Sequence, residues 1–458
     1  MNRISTGVEG LDKILGGGLI PRRVYLISGP PGAGKTLFAL HFLNEGVKRG
    51  ERALMISLME SEESLRMTID RFGFENSVEI LDLSPSIELM RGGITLFGEE
   101  PREGARLTLR NAIVERVESL KPQRVAIDGT SLFEVLYEES YSYRQDLISL
   151  TRYLTANGAT VVLVSEKSDG DEIEYLVDCV ISIKRDETSG ELQIGVKKHR
   201  NSRHEKGYHR MKIDDRGIAV YPRIYPEDFS RSFEQKKIPS GIPEFDEMIR
   251  GGIDKGTITL VSDPPGIGKT TLVSHFITKA VESGEKSAIY LFDEKAEMML
   301  RRCDGTGIPM RKMVEEGKLL IREIEPFEYT SEEFVHIVLR DVEERDIEVV
   351  SIDSLDGYEH SVRGGEFEKD LRALLKSLVN MGVTVFIVDD VEELEKAIVS
   401  EGRIGHVSDN AILMRFRTSL EKDIRLRRFM GILKMRESVF DRKIVEFEIT
   451  NEGIKIVK

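Results

Sequence analysis

Gly29-Pro30-Pro31-Gly32-Ala33-Gly34-Lys35-Thr36 is the stretch whose residue types and spacing point most directly to chemistry. It fills every fixed position of G-x-x-x-x-G-K-[S/T] and lies between an apolar run, Val24–Ile27, and a helical pattern, Leu37–Glu45. In the order strand, glycine-rich loop, helix, such residues cradle the phosphates of a nucleotide. Glycines let successive backbone N–H groups converge on an anion with no Cβ in the way, and the helix N-terminus adds partial positive charge. Lys35 then reaches the β- and γ-phosphates, and the Thr36 hydroxyl ligates Mg²⁺. A glycine-rich turn that merely capped a helix would leave Lys-Thr at the start of that helix unexplained.

The same order of residue types returns later. After Asp263 come Pro264-Pro265-Gly266-Ile267-Gly268-Lys269-Thr270-Thr271, preceded by the strand-like Ile258–Val261 and followed by Leu272–Ala280. Lys35 and Lys269 are 234 residues apart. Each loop also has a matching approach, Ser5-Thr6-Gly7, Leu11-Asp12 and Gly17-Gly18 in one case, Ser240-Gly241, Phe245-Asp246 and Gly251-Gly252 in the other, and Gly7 to Gly241 is again 234. The chain is a tandem duplication, and a period this long means two complete globular units.

The elements that must position these loops are short apolar strands separated by helical patterns. The first half predicts strands at Val24–Ser28, Ala53–Ser57, Arg124–Ile127, Thr160–Val164 and Cys179–Ile183. The second predicts them at Thr257–Val261, Ala288–Phe292, Val349–Ile352, Thr384–Val388 and Ala411–Met414. Runs apolar on both faces that alternate with helices predict an α/β fold, a doubly wound, mainly parallel sheet covered on both sides. Each half then closes with an alternating, hairpin-like stretch, Leu192–Lys198 with His209–Ile213 and Phe429–Lys434 with Lys443–Ile449. Mixed charge, two prolines and no periodicity place the boundary within Tyr221–Ile238, giving domains over 1–225 and 238–458 joined by 226–237.

Acids at strand ends complete the chemistry. Val125-Ala126-Ile127-Asp128 and Val350-Ser351-Ile352-Asp353 each end the third predicted strand in a carboxylate that, beside a phosphate loop, holds Mg²⁺ through water. After the second predicted strand the halves differ: Met59-Glu60 stands where the other has Asp293-Glu294. A carboxylate there can polarise the attacking water, which makes Glu60 and Glu294, with Asp293, catalytic candidates. Glu62 and Glu63 fit equally well as acids favouring a helix start.

Taken together, these features resemble the KaiC family of RecA-like ATPases over essentially the whole chain. The resemblance rests on Ser-Thr-Gly, Leu-Asp and the glycines before the loop, on the acid pair, on the strand-end Asp and on a Lys-x-Arg late in each half. It implies two tandem RecA-like domains in a homo-oligomeric ring, usually a hexamer, with ATP at subunit interfaces and a regulatory protein partner. Lys198 and Arg200, and Lys434 and Arg436, match the family's basic pair that touches the neighbour's nucleotide, where cations would stabilise the transferring phosphoryl group. There are departures. Met59 cannot orient water, so hydrolysis in the first half is expected to be slow unless Glu60 substitutes. Asp263 replaces the first loop glycine and is expected to weaken the second site. Gly405-His406 occupies the positions of the clock-type phosphoacceptors, leaving Ser400 and Ser408 as the nearby hydroxyls. The pattern ends with the last strand, so no regulatory tail is expected.

Composition narrows the partners. The net charge is −14 and 32% of residues are charged, which disfavours a nucleic-acid coat. Cys179 and Cys303 are the only cysteines, in no metal-type spacing, which favours a reducing, cytoplasmic setting. No apolar run approaches the roughly 18 residues of a membrane span, and no signal peptide is expected. The leading reading is a slow Mg-dependent ATPase that acts as a switch of assembly or partner binding. Three others stay open: a serine/threonine autokinase, a DNA-binding RecA-like motor using Lys197–Lys206 and the arginines at 415, 417, 425, 427 and 428, and a ring that uses ATP only to hold subunits together.

Overall fold

The computed structural model describes residues 2–85, 101–135, 137, 140–166, 172–187, 190–262, 264–362, 367–389, 407–419 and 425–457. The chain divides into two compact units, Met1–Arg223 and Ile224–Lys458. In the first, strands β1 (Val24–Ser28), β2 (Ala53–Ser57), β3 (Glu79–Asp82), β4 (Arg124–Asp128), β5 (Thr160–Ser165), β6 (Cys179–Arg185), β7 (Leu192–His199), β8 (Tyr208–Asp214) and β9 (Gly217–Tyr221) form one sheet in the order β3-β2-β4-β5-β1-β6-β7-β8-β9. The first six strands in that order pair parallel and the last three antiparallel. Helices α1 (Lys35–Lys48) and α2 (Glu62–Arg71) cover one face, with Phe38, Phe42 and Leu43 fully buried as core. Helices α3 (Pro101–Leu120), α4 (Thr130–Val135) and α5 (Ser140–Ala156) lie on the other, where Ile113 and Leu147 join the core.

The second unit repeats this plan. After the small pair β10 (Lys237–Ile238) and β11 (Ile253–Asp254) come β12 (Ile258–Ser262), β13 (Lys286–Leu291), β14 (Leu319–Glu323), β15 (Ile347–Asp353), β16 (Thr384–Asp389), β17 (Asn410–Ser419), β18 (Arg425–Met435), β19 (Ile444–Thr450) and β20 (Gly453–Ile456). Their order, β14-β13-β15-β16-β12-β17-β18-β19-β20, is that of the first sheet. Its longer helices are α6 (Lys269–Glu282), α7 (Ala296–Gly305), α8 (Ser331–Arg345), α9 (Leu355–Ser361) and α10 (Phe367–Asn380). Two strands of each nine-stranded sheet, and the small pair β10 and β11, were not expected from the sequence. The edge strands β3 and β14 are short and half polar, so no hydrophobic run announces them, and their insertion makes the Asp-bearing strand fourth in chain order. Strands β9 and β20 follow two-residue turns at Asp215-Arg216 and Asn451-Glu452.

The repeated approach to each phosphate loop has a structural explanation. Asp12 Oδ1 accepts from Thr6 N and Oγ1 at 2.9 and 2.8 Å, and Asp246 Oδ1 from Ser240 N and Oγ at 2.7 Å each. A Cβ on Gly18 or Gly252 would lie 2.4 Å from the Ile4 or Ile238 carbonyl oxygen. The motif is thus a locked turn ahead of the first core strand. A second repeated lock joins the loop helix to the last strand. His41 Nε2 accepts from Ile218 N at 2.9 Å while its Nδ1–H faces the Gly7 carbonyl at 3.1 Å, and His275 Nε2 accepts from Ile454 N at 3.0 Å. Burial lowers the pKa of both imidazoles to about 4, so both are neutral near pH 7. Residues 224–237 pack on the second unit: Ile224 and Phe229 lie against its core, and Arg231 N donates to the Asn380 carbonyl at 3.1 Å.

Candidate functional site

Each phosphate loop leaves the carboxyl end of the central parallel strand, β1 or β12, and turns into a helix. Gly34 and Gly268 are the helix N-caps in the left-handed region, at φ 81° and 116°. A Cβ there would be strained and would also lie 2.5 Å from Ile213 Cδ1 or 2.7 Å from Ile449 Cδ1. Gly32 and Gly266, at φ 73° and 80°, have nothing within 4 Å of an added Cβ, so the crest of each loop faces open space. Lys35 Nζ donates to the Gly29 and Pro30 carbonyls at 2.9 Å each, and Lys269 Nζ to the Pro264 carbonyl at 3.2 Å. Burial lowers the Lys35 pKa. Pro31, Ala33, Pro265 and Ile267 complete the two turns, Ala33 and Ile267 fully buried beneath them. Thr271, the third residue of α6, is also buried.

At the mouth of each loop stands a hydroxyl–carboxylate pair. Thr36 Oγ1 donates to Asp128 Oδ2 at 2.6 Å, and Thr270 Oγ1 to Asp353 Oδ2 at 2.7 Å. Withdrawal from water pushes both carboxyl pKa values up to about 6. A carboxylate whose charge is so poorly solvated gains from a cation, and a hydroxyl with a carboxylate is an oxygen donor set that suits Mg²⁺ alongside phosphate oxygens. Among the described residues no cluster of three or more His, Cys, Asp or Glu offers a separate metal site.

The acids after β2 and β13 differ in ways the sequence did not show. Glu60 Oε2 accepts from Ser64 Oγ at 2.9 Å and its charge is felt at Asp128. Met59, 43% exposed, lies against Gly129, where a Cβ would come 2.6 Å from its Cγ. In the second unit Asp293 Oδ2 accepts from Ser354 Oγ at 2.5 Å, and the same hydroxyl accepts from Gly357 N at 3.0 Å. Glu294 turns away into a bidentate pair with Arg302, whose Nη1 and Nη2 donate to its two oxygens at 2.8 and 2.6 Å. Sequence reasoning missed Arg302, Ser354 and Gly357. The available signal was the repeat itself, since the first half has Thr68 and Gly129 where the second has Arg302 and Ser354.

The Lys-x-Arg pairs lie toward the other end of each sheet. Lys198 Nζ donates to the Glu174 and Val177 carbonyls at 2.8 Å each, and an Arg200 Nη to the Tyr175 carbonyl at 2.9 Å. Lys434 Nζ donates to the Ser408 carbonyl, and Arg436 pairs with Asp409 at 3.3 Å. Burial, then the neighbouring arginine, lowers the pKa of both lysines. Arg200 follows β7 level with the start of β1, whereas the phosphate loop leaves the end of β1. The structure thus does not bring these cations to the phosphate loop of their own unit.

A model of the KaiC ATPase domain matches residues 4–225 and again 238–458. The chain belongs to the KaiC ATPase family. Among curated KaiC proteins, it is 28% identical to the circadian clock protein KaiC3 of Synechocystis over 481 residues, covering all of this chain and 92% of that one. It is likewise 28% identical to the circadian clock oscillator protein KaiC of Parasynechococcus marenigrum, covering 100% and 90%, and to that of Synechococcus elongatus, covering 98% and 88%. As a KaiC ATPase-family chain with a phosphate loop in each unit, it is an ATP-binding protein. Of the departures from the family pattern, Asp263, Ser400, Gly405 and His406 lie outside the described residues. Ser408 is buried. The hairpin of β17 and β18 brings Arg417 to 6.0 Å from the Phe429 ring and Arg428 to 5.6 Å from the Phe416 ring, an aromatic–basic interleaving that was not apparent from the sequence. No helix among the described residues is long and apolar enough to cross a membrane.

Proposed function

We propose that the protein hydrolyses Mg-ATP slowly at both loops, between subunits of a hexameric ring, and that turnover switches its assembly or its grip on a regulatory protein in the cytoplasm. The observation that carries this reading is the repeated hydroxyl–carboxylate pair, Thr36 with Asp128 and Thr270 with Asp353, beside a loop whose glycine crest is open. When bound, Mg²⁺ would be held by the Thr hydroxyls directly and by Asp128 and Asp353 through water, and it would neutralise charge between the β- and γ-phosphates. The loop N–H groups and the N-termini of α1 and α6 bind the phosphates, and Lys35 and Lys269 leave their loop carbonyls to meet them.

Water is oriented by Glu60 in the first unit. In the second we assign this role to Asp293 rather than Glu294, because both Glu294 oxygens are occupied by Arg302 while Asp293 accepts from a neutral hydroxyl, that of Ser354. Lys198, Arg200, Lys434 and Arg436 act on a neighbouring subunit's nucleotide, a role supported by their placement away from their own loops. Domains over 1–225 and 238–458 with a connection over 226–237 are consistent with the two family matches. The kinase reading has less support, since one of its two candidate acceptors, Ser408, is buried.

The test is phosphate release with Mg-ATP together with mass by light scattering for wild type, Lys35→Ala, Lys269→Ala and the double variant. Each single change is expected to remove part of the turnover and the double change all of it. A double variant that still releases phosphate would sink the assignment, and a wild type that binds ATP, forms a ring and never turns over would leave the nucleotide as subunit glue.

A further inference from the structure

The helix that follows the second strand runs in register in the two units. Helix α2 starts at Glu62 and α7 at Ala296, 234 residues on, and each spans ten residues. Positions along them can therefore be compared one for one. In the first unit Glu60 is held by the neutral Ser64 hydroxyl, while Thr68 Oγ1 donates to the Ser64 carbonyl at 3.2 Å and is spent on the backbone. In the second, Met298 stands for Ser64 and Arg302 for Thr68. Met298 is exposed and offers Glu294 no hydroxyl. Arg302, two helical turns away, instead closes on both Glu294 oxygens, at 2.8 and 2.6 Å.

The pair stands at the mouth of the second phosphate loop. Burial raises the Asp353 pKa, the Glu294 charge raises it further and the Arg302 charge lowers it, so both groups lie within electrostatic reach of the carboxylate beside Thr270. Glu60 acts on Asp128 in the same way, with Lys35 as the opposing cation. A carboxylate gripped on both oxygens by a guanidinium has its lone pairs engaged and its basicity lowered, which makes it a poor base. Hydrolysis needs a good one. As the water oxygen bonds to the γ-phosphorus and the bond to the bridging oxygen of the leaving ADP breaks, a base takes the water proton. The second unit thus has an acid at the position that we assign to water in the first, together with a cation that takes it out of use.

We infer that Arg302 is a positioning residue that withholds Glu294 from the second loop and thereby holds ATP turnover there below what two free acids would support. The inference rests on the reading of that loop as hydrolytic. The ion pair is made by the ends of two partly exposed side chains, so it can open without unfolding α7. Opening also changes the field at the mouth of the loop. A paired cation and anion nearly cancel at a distance, whereas a lone Glu294 adds negative charge near Asp353.

The test uses the full chain with Lys35→Ala, which silences the first loop, as the parent for Arg302→Thr, Glu294→Gln and the double change. Threonine is the residue that the first unit carries. Phosphate release at saturating Mg-ATP is expected to rise at least about fivefold with Arg302→Thr, and to return to within about twofold of the parent when Glu294→Gln is added. Mn²⁺ affinity in the presence of ADP, read by electron paramagnetic resonance, needs no turnover. Arg302→Thr should tighten it and Glu294→Gln weaken it, each at least about twofold, and the double change should restore it. An Arg302 that merely braced α7 would lower the thermal midpoint without this cancellation. Release that Arg302→Thr leaves unchanged or lowers, a rise that Glu294→Gln does not reverse, or Mn²⁺ shifts that do not cancel would each overturn the inference alone. No release from the parent or any variant would overturn the reading of the second loop along with it. If Arg302→Thr fails to fold, Arg302→Lys decides, because it keeps the charge and cannot fork onto both oxygens: a rise of at least about twofold supports the inference and no rise overturns it.

Discussion

Asp293→Asn and Glu294→Gln, compared in a Lys35→Ala background that silences the first loop, separate the two adjacent acids of the second unit. Each change keeps shape and removes only a charge. At Asp293 the Ser354 hydroxyl can still donate to the Asn oxygen, so the fold around it should survive. What is lost is the group able to take or direct a proton of water, and general-base assistance is worth about 10²–10⁴-fold, or roughly 2.7–5.5 kcal/mol of barrier. At Glu294 the loss is a bidentate pair whose side chains are 22% and 42% exposed. Solvent screens such a pair, so removing its charge should lower stability by only about 0.5–1 kcal/mol, with Arg302 turning to water. Because a carboxylate with both oxygens on a guanidinium is a poor base, turnover should fall less than about threefold. Phosphate release at saturating Mg-ATP, with ring mass checked in parallel, reads the difference. If Glu294→Gln abolished release while Asp293→Asn left it intact, the Arg302 pair would have to open during turnover, and assigning roles from the static pairing would be refuted.

Two further outcomes follow from the same geometry. Gly357→Ala would place a Cβ 2.4 and 2.6 Å from the Asp293 carboxylate oxygens, so release from the second loop should fall at least about tenfold; because Ala suits a helix better than Gly by roughly 1 kcal/mol, thermal stability should hold, and unchanged release would show that Asp293 has no fixed role. Acid should loosen the first unit, where burial lowers the pKa of His41, His199 and His209 to about 4 from the usual 6.5. The unfolded chain takes up these protons as pH drops below about 6.5 while the fold resists them until about 4, so the stability is present above that window and lost within it. Between pH 8 and pH 5 each histidine accounts for about 2 kcal/mol. His41→Gln should remove one such share from the pH difference in urea-unfolding free energy, and an undiminished difference would mean that His41 is not held neutral.

What could be read from the sequence, and what could not, divides along a physical line. The phosphate loops were legible because a tight anion-binding turn admits few residue types: Gly34 and Gly268 are fixed by backbone conformation and by the isoleucine above them. The central strands were legible because burial on both faces leaves an unbroken apolar run, whereas β3 and β14 sit at sheet edges where polar residues are tolerated. The finer arrangement of the candidate site was not legible, because it depends on which side chain captures which. Nothing in Asp293-Glu294 alone says that Arg302, a helix away, takes the second acid and Ser354 the first. The duplication supplies the missing comparison. Two copies of one fold must satisfy the same turns, caps and core, so residues that those demands fix, such as Asp12 and Asp246 or His41 and His275, recur in register. Residues that do not recur are released from the common structure and carry what each copy does alone. Arg302 against Thr68 and Ser354 against Gly129 belong to that second group. They set the acids of the second loop. Differences between the halves are therefore the better guide to what distinguishes the two units, and they were present in the sequence before any coordinate was known.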